Sequence, residues 1–187
     1  PACAYDILEI QIFDENGTSM TRKVDGSGLA AGKVKEFPEF EYLVNDHVFA
    51  IAGASDLEQF AQLVGDGSFD DLYEGARVVK DFTAPEGWTS IDYSGVFDGG
   101  GKTITMSTPL FGELSNASVS NVNIAAAMTC GIEANFGALA KTVSGLSRIE
   151  KCSVSGDISI SLKDDATTGT FRFAALVGYV QGGVVRN

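Results

Sequence analysis

The stretch SGVFDGGGKTITM, residues 94–106, decides how the chain is read. Its centre is close to a phosphate-binding loop, G-x-x-x-x-G-K-[ST], in which backbone N–H groups cradle phosphates. Gly101, Lys102 and Thr103 supply the closing G-K-T, but Val96 stands where the first glycine belongs. Such a loop also needs a helix after it, because the helix N-terminus helps to hold the anion. Instead the chain continues with Thr103, Ile104, Thr105 and Met106, an alternation with β-branched residues. That pattern is a strand. The glycines therefore read as a turn between two strands, with Asp98-Gly99 as the turn signal and at least one of Gly99 to Gly101 at positive φ. Ile104 and Met106 are expected to face inward, with Lys102, Thr103 and Thr105 on the solvent side.

Upstream, YDILEIQIF (5–13) alternates as a strand and DENG turns the chain at Asn16-Gly17. GSGLAAGK (26–33) reads as a loop, and EFEYLV and HVFAIAG as strands around Asn45-Asp46. SDLEQFAQLVGDG is the one clear helix: Leu57, Phe60, Ala61 and Val64 form an apolar stripe. Ser55 with Glu58 reads as a capping box, and Gly65 or Gly67 ends the helix. ARVVKDF, WTSI, YSGVF and KTITM read as short strands after it.

Beyond Pro109 a cycle recurs. Leu110-Phe111-Gly112, Leu139-Ala140-Lys141 and Val177-Gly178-Tyr179 open three units. Each passes through a turn, at Ser115-Asn116-Ala117, Ser144-Gly145-Leu146 and Gln181-Gly182-Gly183. Each then enters a strand, beginning at Val119, Ile149 and Val184. Constant strand blocks at variable spacing fit the coils of a solenoid, in which stacking buries an inward face that no coil buries alone.

The 187 residues carry a net charge of −12, 44% hydrophobic residues, 22 glycines and 4 prolines. The acidic balance argues against nucleic acid as a partner, which needs a basic face. No apolar run is long enough to span a membrane. Cys3, Cys130 and Cys152 are an odd number without CxxC spacing, which gives no metal framework. Cys130 and Cys152 either pair or stand as two buried thiols. A chain that begins at Pro1 reads as processed or trimmed.

IAGASDLEQFAQLV, GWTSI, SGVFDGGGKTITM, PLFGEL and ALVGYVQGGVVRN, taken in order, resemble the GLUG-repeat proteins of bacterial cell surfaces. The family order is I-x-x-x-x-D-L-x-x-F, W-x-P-I-G, F-x-G-x-F-D-G-N-G-x-x-I and repeated G-x-L-V-G-Y. Ser90, Gly100 and Ala140-Lys141 depart from it. The resemblance covers about residues 48–187. It implies a mainly β fold: a right-handed parallel β-helix over 46–187, with a capping helix at about 55–65. It also implies a secreted or surface-anchored location and no catalytic residue. Residues 1–45 lie outside it, as a small β segment that caps the first coil or the edge of a preceding domain.

Each candidate for chemistry has a structural alternative. His47, the only histidine, has no second metal ligand near it in sequence and no serine placed as its nucleophile. Asp70-Asp71 and Asp164-Asp165 could act as paired carboxylates on a glycan, or as solvated turns. Asp98 could ligate a cation or bond its own turn. Trp88, Tyr93 and Tyr179 could stack on sugar rings, though Trp88 holds the family's structural tryptophan position. Asn16 and Asn116 head glycosylation sequons.

These readings favour a non-enzymatic surface module, a spacer or adhesion unit without cofactor or metal, whose partner is an extracellular glycan or protein. The alternative is a fragment of a polysaccharide-active enzyme, lyase or glycoside hydrolase, with carboxylates on a sheet face. LVGYVQGGVVRN stops within a unit, so the expectation is that Asn187 is not the natural terminus, the β-helix being truncated there, or that a neighbouring domain or another copy covers that edge.

Overall fold

The computed structural model describes residues 7–13, 19–25, 47–132, 135–162 and 171–186. EFEYLV, the turns at Asn16 and Asn45, the 26–33 loop and Asp164-Asp165 lie outside them. Strands β1 (Ile7–Phe13) and β2 (Ser19–Asp25) form an antiparallel hairpin. The next elements are β3 (Val48–Ile51), α1 (Ala54–Asp66), α2 (Phe69–Leu72), β4 (Gly75–Val78), β5 (Phe82–Thr83), β6 (Ile91–Tyr93), β7 (Val96–Asp98) and β8 (Thr103–Met106). The chain continues through β9 (Phe111–Ser115), β10 (Ser118–Ser120), β11 (Asn123–Ile132), β12 (Asn135–Phe136) and β13 (Ala140–Ser144). It closes with β14 (Arg148–Glu150), β15 (Ser153–Leu162), β16 (Arg172–Phe173), β17 (Val177–Val180) and β18 (Val184–Arg186).

Among the described residues, every strand pairing from β3 onward is parallel. One sheet runs β18-β14-β10-β7-β4-β3, a second β15-β11-β8-β5 and a third β17-β13-β9-β6, with β12 and β16 as a separate pair. From β4 to β11, successive strands enter the first, second and third of these sheets in turn. Parallel neighbours cannot be joined by a tight hairpin; here the path between them runs through the other sheets. Identical positions therefore stack. Phe49, Ala76, Phe97, Val119, Ile149 and Val185 share one column of the first sheet. All but Val185 are buried.

The stretch 94–106 folds as its alternation implies. Gly100 and Gly101 take φ of 58° and 70°, and a strand, not a helix, comes after them. Ile104 and Met106 are buried, while Lys102 is half-buried rather than fully in solvent. A Cβ at Gly100 would lie 2.3 Å from the Val78 carbonyl oxygen, so this corner needs glycine for closeness as well as for φ. In the two later corners the same left-handed turn is made by Asn121 (φ 55°) and Lys151 (φ 52°).

Several boundaries differ from the alternation. ARVVKDF divides into β4 and β5, and YSGVF is cut after Tyr93. Trp88 to Ser90 of WTSI precede β6. After β4 the apolar Val79 continues past the break, so hydrophobicity alone does not mark it, whereas the break in YSGVF falls at Ser94-Gly95. Asp70-Asp71 lie on α2, not in a loop. In the third unit Val177 aligns with Ala140 and Val185 with Ile149, one residue from the sequence alignment.

Helix α1 packs against β3 and β6. Leu57, Phe60 and Leu63 are buried, and Ala61 and Val64 partly so. Phe60 meets Phe49, Phe69, Tyr93 and Phe97 at centroid distances of 5.1–6.3 Å. Gly67 closes the helix at φ 79°, and the Ser68 N–H donates to Leu63 O (3.0 Å), a Schellman pattern. The capping box does not form. The helix starts at Ala54 after Gly53, and no side chain caps it at that point. The buried Asp56 carboxylate instead accepts from the Ala52 N–H (2.9 Å), and its charge suits the positive end of the helix.

Candidate functional site

Beside the C-terminal end of α1, an open pocket of about 330 Å³ is lined by Val64, Phe69, Asp70, Asp92, Tyr93 and Glu113, among others. Its apolar floor belongs to the aromatic cluster, and its rim carries three carboxylates. Asp70 comes from α2, Asp92 from β6 and Glu113 from β9. Asp70 is a candidate on sequence alone; Asp92 and Glu113 are not.

Asp92 and Glu113 meet through a bulge. Ile91 pairs with Phe111 but Tyr93 with Leu114, so one residue of β6 faces two of β9. In that space Asp92 Oδ1 accepts from the Glu113 N–H (2.7 Å). A Cβ at Gly112 would lie 2.5 Å from the same oxygen, so glycine makes the room. Glu113 Oε1 in turn accepts from the Ser144 hydroxyl (2.6 Å) on β13. Both carboxylates thus tie one strand to the next.

Tyr93 is buried, and its hydroxyl donates to Val96 O (2.9 Å). Burial first, and then the negative charge of Asp70, push that hydroxyl above the ordinary phenol range. It therefore stays neutral and serves the pocket as a wall, not as a base.

The remaining candidates are dispersed. Trp88 is buried and its Nε1–H donates to Leu110 O (3.2 Å), which ties the loop before β6 to the residue before β9. Asp98 accepts from the Gly100 N–H (2.9 Å) and the Asn121 amide (3.0 Å), with Arg77 Nε at 3.4 Å. Asn116 adopts φ 57° and accepts from the Leu146 N–H (3.0 Å) of the next turn. Tyr179 lies under the Arg172 guanidinium, 4.1 Å from its centroid. His47 is exposed and is not among the residues that line the pocket. Cys152 is a free, buried thiol whose Sγ lies 3.2 Å from Glu150 O. Among the described residues no group of three or more His, Cys, Asp or Glu is arranged to hold a metal. No helix among them is long and apolar enough to cross a membrane.

Comparison with protein families, with curated proteins and with solved structures finds no match to this chain.

Proposed function

We propose that this chain is a GLUG-type module of a bacterial cell surface, a right-handed parallel β-helix that acts as a non-enzymatic spacer or adhesion unit. The strand itinerary supports the solenoid reading: β7 to β11 visit three sheets in a fixed rotation, and each returns beside its predecessor. One observation carries the functional reading. Polar side chains at the corners, and two of the three rim carboxylates, are bound to neighbouring strands. Asp81 accepts from the Thr103 N–H (2.7 Å), Asp92 from the Glu113 N–H, and Ser147 Oγ donates to Leu114 O (3.0 Å). Groups used this way hold backbone in register; they are not poised for a substrate. The pocket then offers shape and negative charge to an extracellular glycan or protein.

The second reading, a fragment of a polysaccharide-active enzyme, draws on the convergence of Asp70, Asp92 and Glu113 at one open pocket. A glycan array and a polysaccharide-cleavage assay on the same sample separate the two. Binding without new reducing ends or unsaturated products is expected. Cleavage that disappears in Asp92→Asn or Glu113→Gln would overturn the first reading. Protease shaving of intact bacteria tests the location: release of this chain supports it, and complete protection contradicts it.

A further inference from the structure

Two open bays flank the seam where α1 packs on β6. The first is the pocket described above, to which α1 contributes Val64. The second, of about 390 Å³, is lined by Ala61 and Gln62 of the same helix and by the loop from Pro85 to Ser90. The bays meet along β6. Ile91 lines the second, and Asp92 and Tyr93, next in the chain, line the first. Ala61, Val64 and Ile91 are partly buried and packed on the core, so the floor of the seam is apolar. One extended occupant can lie across both bays.

Charge decides what fits the seam. Glu58 and Glu86 stand at the second bay, and Asp70, Asp92 and Glu113 at the first. All five are exposed, and none forms an ion pair among the described residues. Among those residues no lysine, arginine or histidine lines either bay. Asp92 and Glu113 accept hydrogen bonds from neutral donors, which engage one oxygen of each and leave its charge. A single metal ion does not answer this charge, because no three of the carboxylates converge to hold one. A neutral sugar fits no better. Stacking needs an open aromatic face, and Phe69, Tyr93 and Trp88 are only 2%, 4% and 7% exposed. The complement is a chain whose positive charges are spread out on apolar stems, as those of lysine and arginine are.

We propose that the seam between α1 and β6 binds an extended basic segment of a partner protein. Its lysine or arginine head groups meet the carboxylates of the two bays, and its apolar side chains lie on Ala61, Val64 and Ile91. The proposal rests on the reading of this chain as a binding module, and within that reading it chooses protein over glycan. Complementary charge gives such a contact its selectivity and speeds the encounter. Burial of the apolar stems adds affinity.

The test uses the whole chain and three short synthetic peptides. In the first, lysine alternates with leucine; in the second, glutamine replaces each lysine; in the third, glycine replaces each leucine. The first is expected to bind, and both controls to bind more weakly. Glu58→Gln with Asp70→Asn, one change at each bay, is expected to weaken the first peptide about fivefold, the scale of two exposed charge pairs. Glu74→Gln with Asp157→Asn removes as much charge from exposed positions that line neither bay. It is expected to change binding by less than about twofold, because distant surface charges are screened. Circular dichroism verifies that each variant folds. No binding of the first peptide, equal binding of either control, or equal weakening by the two double variants overturns the proposal and leaves the module reading standing. So does a glycan array that is positive where the peptides do not bind. Cleavage of a polysaccharide by the same sample overturns the module reading, and the proposal with it.

Discussion

Asn121 on one corner donates its side-chain amide to Asp98 on the corner below, 3.0 Å away, while the same carboxylate oxygen accepts from the Gly100 N–H. A single oxygen thus closes its own turn and fastens the next strand. Asp98→Ala is expected to lower the unfolding free energy by about 1–3 kcal/mol, the range for leaving partly buried donors unpaired. Asp98→Asn, which keeps an acceptor, is expected to lose less. Urea unfolding of both variants checks this; equal losses would contradict a role for the Asp98 oxygen in the corner.

Two glycines of the 94–106 stretch are expected to differ. Gly101 has φ 70° and nothing within 4 Å of a Cβ placed there, so Gly101→Ala is expected to cost about 1 kcal/mol from the left-handed backbone alone. Gly100 has similar φ and a backbone oxygen in the way, so Gly100→Ala is expected to cost clearly more. Equal melting temperatures for the two variants would contradict the corner geometry.

How much of this is legible in the sequence varies with how local the signal is. The strand after Lys102 comes from its own alternation, and the buried face of α1 from the spacing of Leu57 and Phe60. The corners are harder. Val78 is buried in β4 and Val79 half-buried just beyond it, so the apolar run crosses the break between sheets. The start of α1 is misleading because Ser55 and Glu58 match a capping pattern that Asp56 makes unnecessary. The rim pair Asp92 and Glu113 depends on a bulge between distant strands, and Gly112 before Glu113 is its only local trace.

Phe60 joins the helix to the sheets. Phe60→Ala is expected to cost about 3–5 kcal/mol, as for removal of a fully buried ring. A cost below about 1 kcal/mol would mean that α1 does not cover the edge at β3 and β6.

Tyr93 sets an alkaline limit. Its folded pKa is raised, so the unfolded chain releases the phenol proton first as pH rises. Its contribution is intact below the unfolded value of about 10 and is lost progressively above it. Stability is expected to fall above that pH, and less so in Tyr93→Phe. Chemical unfolding at about pH 9 and above checks the sign; a fall of the same size in Tyr93→Phe would contradict it.

Cys152 is also held neutral, by burial, which raises its thiol above the ordinary range. In the folded chain it is expected to react with iodoacetamide far more slowly than in urea. Peptide mapping after alkylation reads this at Cys152, and equal rates would contradict its burial.

The central claim is that the rim carboxylates Asp92 and Glu113 hold strands together. Its most direct test is the unfolding free energy of Asp92→Ala and Glu113→Ala in urea. Structural ties removed should cost about 0.5–1.5 kcal/mol each, the net worth of a hydrogen bond. Carboxylates kept for catalysis are commonly held at the expense of stability, and their removal leaves a protein as stable or more so. Two destabilised variants are the result expected here; variants as stable as the parent chain, or more stable, would contradict the claim.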